Sequence, residues 1–230
     1  MSTFSVTALA EMQMFESLEH DQLMQLFDRH RESSHQPDQV IVMEQDWGES
    51  VFLLRSGLAK VRTYTMDGDE VVMSLLGAGD VFGEMAALDG AARSADVVAL
   101  TPLCLVKLRA APFAALLTKQ AGFALALARL EAARLRDLNR RFALQSGDAT
   151  SRLLDALAYL ARKNSGPDRD PQALIPPLAQ RELALLAGLA RETASRTLSK
   201  LRQKNVVAEE EGGGLRLVDL QPLQKRGLLD

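Results

Sequence analysis

The stretch from Leu178 to Leu201 reads LAQRELALLAGLARETASRTLSKL, and its residue types are those of two short helices that cross at a tight turn. Gly188 separates the two patterns and can adopt the left-handed turn conformation without a Cβ penalty. Small Ala184 in the first pattern allows a second helix to cross closely. The stretch therefore predicts a helix-turn-helix, which decides the C-terminal part of the fold.

The second helix, from about Arg191 to Lys204, has two chemically different sides. At 100° per residue, one side is expected to pack and carries Ala194, Thr197, Leu198 and Leu201. The other side carries Arg191, Glu192, Ser195, Arg196, Ser199 and Lys200. Arginine matches the two acceptors of guanine, glutamate accepts from cytosine, and hydroxyls or Lys200 suit phosphates. An ordinary solvated helix is the alternative, but the glycine turn and the clean division of faces favour DNA reading.

The recognition-helix pattern resembles that of the Crp/Fnr family of regulators. Arg191-Glu192-Thr193 followed by Arg196 carries the likeness. The resemblance implies that Arg191, Glu192 and Arg196 read bases, and that Thr193 and Gln180 position the DNA backbone. It also implies a homodimer on a palindromic operator with TGTGA-like half-sites, with RNA polymerase as a further partner.

Composition indicates a folded chain whose basic charge is concentrated at its C-terminal end. The chain has 230 residues, 47% apolar and 25% charged, with a net charge of −3. From Gly147 onward we count 13 Lys+Arg against 11 Asp+Glu, or +2, which leaves −5 for the earlier part. Cys104 is the single cysteine, so one chain cannot build a four-cysteine iron–sulfur cluster. The three histidines have no metal or haem spacing, and we expect no metal site.

Short Val-, Leu- and Phe-rich runs follow a helical pattern that spans about Val6 to Arg31. Turn signals recur at roughly eight to twelve residues up to Leu108, which predicts a small all-β barrel or jelly roll. Such a barrel can enclose one small ligand. The expected fold class is therefore α+β, with this barrel, a long helix and a C-terminal winged helix-turn-helix.

The segment from Gly83 to Ser94, GEMAALDGAARS, is the candidate ligand site of the barrel. A short helix after Gly83 offers backbone N–H groups, Arg93 can pair with phosphate, and Glu84 can accept from a ribose hydroxyl. A capped turn with a surface salt bridge would explain the same residues without a ligand.

The same segment is similar to the phosphate-binding cassette of cyclic-nucleotide-binding domains. The resemblance implies that Glu84 binds the ribose 2′-hydroxyl and Arg93 the cyclic phosphate, and that the phosphate oxygens are bound by Ser94 with backbone at Met85 and Ala86. Gly83 and Ser74 are expected at the same pocket. The implied effector is cAMP or another cyclic nucleotide.

The chain departs from cAMP-responsive relatives on the long central helix, where a threonine–serine pair holds adenine. Counting back from the Thr150-Ser151 helix start places Asp137 and Leu138 there, with Asn139 beside them. Leu138 cannot hydrogen-bond, so the identity of the base is open. We expect Asp137 and Asn139 to contact the ligand.

The central helix is expected to begin at Phe113 or Ala121 and to end near Gln145. Its leucines recur at spacings of three, four and five residues. This pattern fits a helix packed on its own barrel as well as a parallel seam between two subunits. The family resemblance favours the seam. The predicted divisions are 1–120 for the effector domain, 121–146 for the dimerisation helix and hinge, and 147–230 for the DNA-binding domain.

After the hinge, Thr150 or Ser151 is expected to cap the next helix. A hairpin from Val206 to Val218 predicts a wing, whose run of Glu209 to Glu211 would repel phosphate.

No leader or spanning run is evident, so we expect a cytoplasmic protein that does not enter a membrane. No catalytic motif was found, and we expect no enzyme. The alternatives are a ligand-independent DNA-binding regulator and a nucleotide-binding module that acts through protein partners.

Overall fold

The computed structural model describes residues 6–229. Its N-terminal segment forms two short helices, α1 (Val6–Ala10) and α2 (His20–Phe27). The single helical pattern expected over Val6 to Arg31 is therefore wrong. Turns occupy the interval, and they bury Phe15. A capping box at Glu19, whose backbone N–H donates to Gln22 Oε1 at 2.9 Å, starts α2 afresh.

Two four-stranded antiparallel sheets follow and pack as a jelly roll, which confirms the predicted barrel. Strand order is β1-β8-β3-β6 in one sheet and β2-β7-β4-β5 in the other. The strands are β1 (Arg31–His35), β2 (Val40–Val42), β3 (Ser50–Ser56), β4 (Ala59–Tyr64), β5 (Glu70–Leu76), β6 (Val81–Phe82), β7 (Asp96–Ala99) and β8 (Leu103–Arg109). The predicted short helix after Gly83 is α3 (Glu84–Asp89), between β6 and β7.

Two helices connect the barrel to the C-terminal part of the chain. They are α4 (Ala110–Lys119) and α5 (Ala121–Leu144), and they meet at an angle of 109°. The long central helix thus begins at Ala121, because the chain bends at Gln120, which has extended backbone angles. Phe113 belongs to α4, where its ring packs against Phe123 of α5.

The C-terminal unit, residues 149–229, contains the predicted helix-turn-helix and wing. Its elements are α6 (Ala149–Asn164), α7 (Gln180–Ala187), α8 (Arg191–Gln203), β9 (Val207–Glu209), β10 (Leu215–Leu217) and α9 (Gln221–Gln224). The expected cap at Thr150 or Ser151 is wrong. Asp148 caps α6 instead, accepting from Thr150 N at 2.8 Å and Ser151 N at 3.0 Å.

The C-terminal unit packs directly on its own barrel. One apolar cluster joins Leu58, Val72 and Leu75 of the barrel to residues of α6, α7 and α8. The approach is close at Gly77, where a Cβ atom would lie 2.2 Å from the carbonyl oxygen of Lys163. The barrel and the C-terminal unit therefore share a core.

Within residues 6–229, no single helix has the length and apolar character to cross a membrane, and the bent pair α4–α5 passes that test only when its two helices are taken together.

Candidate functional sites

A cavity of about 170 Å³ lies inside the barrel beside α3. Strands β2, β4, β5, β6 and β7, the segment before β7 and helix α3 supply its walls, and α5 contributes two side chains. The structure places seven of the predicted ligand residues around it: Ser74, Gly83, Glu84, Met85, Ala86, Arg93 and Ser94. Residues that are distant in the barrel sequence thus line one small cavity.

Arg93 is held firmly at this cavity by backbone carbonyl groups. Its Nη1 donates to Gly83 O at 2.8 Å and its Nη2 donates to Ser50 O at 2.7 Å. The residue is 5% exposed. Burial lowers the pKa of the guanidinium, although the negative charges of Glu84 and Asp46 act to raise it. Among residues 6–229, no carboxylate forms an ion pair with Arg93. Arg93 thus lines the cavity with a charge that is bonded to backbone carbonyls and not to a carboxylate.

Glu84 supplies a buried acceptor next to that charge. The residue is 3% exposed; Oε1 accepts from Arg134 Nη1 at 2.8 Å, and Oε2 is buried with no hydrogen-bond partner. Burial raises the pKa of Glu84 to about 7, because it outweighs the opposing charge of Arg134 and is reinforced by nearby Glu131. A hydroxyl donor entering the cavity would satisfy Oε2.

The turn before α3 is shaped by a glycine. Gly83 has φ +79°, a conformation that side-chain-bearing residues rarely adopt, and a Cβ there would lie 2.5 Å from Arg93 Nη1. Ser94 Oγ lies 3.8 Å from the sulfur of Met85, so its hydroxyl has only a weak partner. The glycine allows the arginine to approach, and the serine keeps a donor available.

Asp137 and Asn139 do not line the cavity of the single chain, so their contact with a ligand stays a prediction. Helix α5 contributes Glu131 and Arg134 instead. At 1.5 Å per residue, Asp137 lies about 4.5 Å further along the axis than Arg134. Its nearest ion-pair partner is Arg140, at 3.9 Å. No sequence signal links Arg134 to Glu84; the i, i+3 spacing of Glu131 and Arg134 suits only their own pair.

The helix-turn-helix has the predicted geometry. Gly188 has φ +60°, and α7 and α8 follow each other across it. Arg152 of α6 closes the turn by donating to Gly188 O and, at 3.0 Å, to Ala187 O. Sequence reasoning missed this role, because Arg152 is 35 residues or more from its acceptors. The turn is thus fixed from outside the motif.

The packing side of α8 is confirmed: Ala194, Thr197, Leu198 and Leu201 are buried. On the opposite side the structure exposes Arg191, Glu192, Arg196, Ser199 and Lys200. Thr193 and Ser195 are half-buried at the edge of that side, and Gln180 is exposed at the start of α7. In the described part of the chain, the side chains of Arg191, Glu192, Arg196 and Lys200 make no hydrogen bond or ion pair.

The acidic wing forms one ion pair with α8 and one within its own hairpin. Glu209 pairs with Arg202 at 3.2 Å, and Glu210 pairs with Arg216 at 2.6 Å. Since these pairs neutralise part of the acidic run, the wing is tied to α8 and to β10.

Two family models match the chain, one on each side of α5. Residues 32–120 match the model described as the cyclic nucleotide-binding domain, and residues 151–226 match the Crp-like helix-turn-helix domain. The cavity lies in the first of these segments, and the exposed face of α8 in the second.

Relatives of known name and structure agree with this pairing of domains. The Cyclic AMP receptor protein of Thermus thermophilus is 36% identical over 168 residues, 73% of this chain and 74% of that protein. FixK2 from Bradyrhizobium japonicum shares the fold with a TM-score of 0.73 at 20% identity, over 85% of this chain and 96% of that one. A CRP-family regulator from Thermus thermophilus gives a TM-score of 0.67 at 24% identity, over 84% and 95%.

The family to which these relatives belong consists of transcription regulators and not of enzymes, as the sequence predicted. The chain belongs to the Crp/Fnr family and is a DNA-binding transcription regulator that carries a cyclic nucleotide-binding domain.

Proposed function

We propose that the protein is a homodimeric regulator whose affinity for a palindromic DNA site is controlled by a cyclic nucleotide in the barrel cavity. cAMP is the first candidate, since the relative from Thermus thermophilus is named a Cyclic AMP receptor protein. The protein would act in the cytoplasm, where the chromosome is. The observation that carries the proposal is the buried, unpaired charge of Arg93 beside the unsatisfied Oε2 of Glu84.

The cavity chemistry supports a cyclic phosphate joined to a ribose. Arg93 would hold the anionic phosphate, helped by the Ser94 hydroxyl and by backbone at Met85 and Ala86. Glu84 would accept from the ribose hydroxyl with Oε2, which has no hydrogen-bond partner among residues 6–229. Charged hydrogen bonds of this kind are short and strong in a site that excludes water. Ser74 and Gly83 would complete the wall.

The identity of the base belongs to the same proposal. Neither Leu138 nor its neighbours present the hydroxyl pair expected for adenine, and Asp137 and Asn139 lie beyond the cavity wall of the single chain. A second subunit would bring its own α5 to this region. Asp137 and Asn139 are therefore proposed to contact the base only in the dimer.

An exposed apolar face of α5 supports the dimer. Leu135, Leu138 and Phe142, spaced by three and four residues, are 58%, 37% and 73% exposed. Such a row on one helix face is typical of a seam between two parallel helices. A symmetric pair of chains would present two recognition helices to successive major grooves, about 34 Å apart.

The exposed face of α8 supports the assignment of roles in DNA reading. Arg191 and Arg196 would each bind a guanine, Glu192 a cytosine, and Lys200 and Ser195 the phosphates. Gln180 and Thr193 would position the backbone. TGTGA-like half-sites and RNA polymerase as a partner are proposed from the family resemblance.

Calorimetry would test the proposal. cAMP and cGMP are titrated into the intact chain, alone and with a palindromic duplex that carries TGTGA-like half-sites. We expect one cyclic nucleotide to bind in each chain and to raise the affinity for the duplex. Duplex binding without any response to either nucleotide would contradict control by these ligands.

That negative result would support a regulator that works without a ligand. One observation favours it as the second candidate: Arg134 donates to Glu84 and to Val81 O, so residues of the chain itself bridge the cavity wall to α5.

A further inference from the structure

Strands β4 and β5 present different faces to the cavity and to the C-terminal unit. Val61 and Ser74 lie directly opposite each other on these strands, and both line the cavity. The next pair, Lys60 and Leu75, points to the other face because side chains alternate along a strand. The same two strands therefore contact the nucleotide site on one side and the C-terminal unit on the other.

A buried lysine and two largely buried carboxylates join the two units on that second face. Lys60 Nζ lies 2.6 Å from Glu70 Oε1 and 2.6 Å from Glu182 Oε2. Lys60 is 2% exposed, and Glu182 belongs to α7, the first helix of the helix-turn-helix. We call these residues the inter-unit ion cluster. A buried charge is costly without its partners, so the cluster strongly restrains the position of α7 on the barrel.

Further charges surround the inter-unit ion cluster and balance it. Arg62 lies 3.5 Å from Glu70 and 3.2 Å from Asp96, and Arg181 lies 3.3 Å from Glu70. With Lys60 and Glu182, three cations face three carboxylates. Burial works to raise the pKa of Glu70, but the hydrogen bond and charge of Lys60, with Arg62 and Arg181, hold it below its ordinary value.

The members of the cluster differ in what would happen if the C-terminal unit moved away. Lys60 and Glu70 both belong to the barrel and would stay together. Glu182 would leave with α7 and lose its contact with Lys60. Glu182 is therefore the member whose pairing depends on contact between the units.

The outer edge of β5 is also bonded to the C-terminal part of the chain. Leu75 N donates to the Tyr159 hydroxyl at 3.3 Å, across the boundary between barrel and α6. Arg141, at the end of α5, donates to Met73 O at 2.9 Å and to Leu186 O of α7 at 3.3 Å. A shift of β5 would thus be transmitted to α6 and α7 through these hydrogen bonds.

We propose that the inter-unit ion cluster couples the nucleotide cavity to the helix-turn-helix through the two faces of β4 and β5. A nucleotide that moves Val61 or Ser74 moves Lys60 and Leu75 on the same strands, and with them Glu182 and α7. This inference rests on the proposed nucleotide function.

Hydrogen exchange of the ligand-free chain tests the contact itself, without any nucleotide. The Leu75 amide is the reporter, because its partner lies in the C-terminal unit. Glu182→Gln removes the charge that pairs across the boundary, and we expect the segment containing Leu75 to exchange about tenfold faster or more. Arg181→Gln is the matched control from the same helix, since Arg181 is 71% exposed in its pair with Glu70.

Unchanged exchange at Leu75 in Glu182→Gln would overturn the proposal. An equal increase in Arg181→Gln would also do so, since it would point to a general loosening by any lost charge. Lys60→Met is a second variant that keeps the apolar stem, and it should repeat the effect of Glu182→Gln.

Operator affinity with and without cAMP tests the coupling. In the parent chain we expect the operator affinity with cAMP, divided by the affinity without it, to exceed one. In Glu182→Gln we expect this ratio to be close to one, while calorimetry still shows cAMP binding. A parent-like ratio in a variant with fast Leu75 exchange would overturn the coupling. Absence of cAMP binding by the parent chain would instead remove the proposed function for this nucleotide, and the coupling with it, whereas the exchange result would stand.

Discussion

Glu84 and Arg134 meet at the cavity wall, 50 residues apart in sequence and 2.8 Å apart between Oε1 and Nη1. The pair joins the short helix of the barrel to the long helix α5. Its arginine also approaches Glu131, at 2.9 Å, so one guanidinium serves two carboxylates. A single arginine of α5 therefore holds two carboxylates at the edge of the cavity.

Glu84 should make the stability of the ligand-free protein depend on pH near neutrality. Its pKa is about 7 in the folded chain, above the ordinary value of 4.5, because burial favours the neutral form. The folded state therefore binds a proton that the unfolded state releases, and stability falls as pH rises through this window. The melting temperature of Glu84→Gln, compared with that of the parent, should show a weaker decline over the same range. Parallel pH profiles would contradict this pKa.

Arg93→Ala should weaken nucleotide binding by about 2–3 kcal/mol, since it removes a charged contact with phosphate. It should also lower the melting temperature, because Gly83 O and Ser50 O would lose their donors. Ser94→Ala is the matched control: loss of one neutral hydroxyl should cost binding about 1 kcal/mol. Calorimetry with cAMP measures the loss of binding free energy in both variants. Equal affinity of Arg93→Ala and parent would show that Arg93 has only a structural role.

Leu135→Asp and Leu138→Asp should favour monomers, because each would bring two like charges together at a symmetric seam. Met24→Asp changes an equally apolar, exposed residue on α2 and should leave the assembly unchanged. Light scattering coupled to size exclusion measures the mass directly. A dimer of unaltered mass in both α5 variants would place the interface elsewhere.

Arg191→Ala should relax base preference at one position in each half-site, at about 1–3 kcal/mol per contact. Lys200→Ala should instead weaken binding to all sequences alike and reduce its salt dependence. A panel of single-base operator variants, measured at several salt concentrations, separates the two effects. Uniform losses for both variants would make Arg191 a phosphate contact.

Asp148→Ala should destabilise the protein by about 1 kcal/mol, because two backbone N–H groups at the start of α6 lose their acceptor. Hydrogen bonds from the backbone and side chain of Ser151 and from the Thr150 backbone lower the pKa of Asp148. The stabilisation is therefore present above the ordinary carboxyl pKa and is lost as pH falls through the folded value. Urea unfolding measures this loss. Thr150→Ala, measured in the same way, should lower the free energy of unfolding by less. A larger loss in Thr150→Ala would reverse the assignment of the cap.

The parts of the fold that could be predicted depend on local patterns. Gly188 in the turn, the two sides of α8 and the residues around Gly83 each express their role within a few positions of sequence. The N-terminal pattern misled because Leu18 suits a helix period as well as it suits a buried turn. The cap of α6 was misassigned because aspartate, serine and threonine all suit that position.

The contacts that could not be predicted join distant segments. Arg134 with Glu84, Arg152 with Gly188 and Lys60 with Glu182 each connect elements whose relative placement depends on the packing of the whole chain. Lys60 is the clearest case. Its position on a strand suggests a solvated side chain, and only the arrival of α7 makes it a buried one.

The core shared by the barrel and the C-terminal unit also affects how the chain folds during its synthesis. Leu58, Val72, Leu75 and Leu100 of the barrel lie in one cluster with residues of α6 and α7. The ribosome makes the barrel first, so this apolar face is complete about fifty residues before the segment that covers it, and a growing chain exposes it for several seconds. The C-terminal unit therefore covers an apolar face of the barrel that is left exposed until that unit has been synthesised.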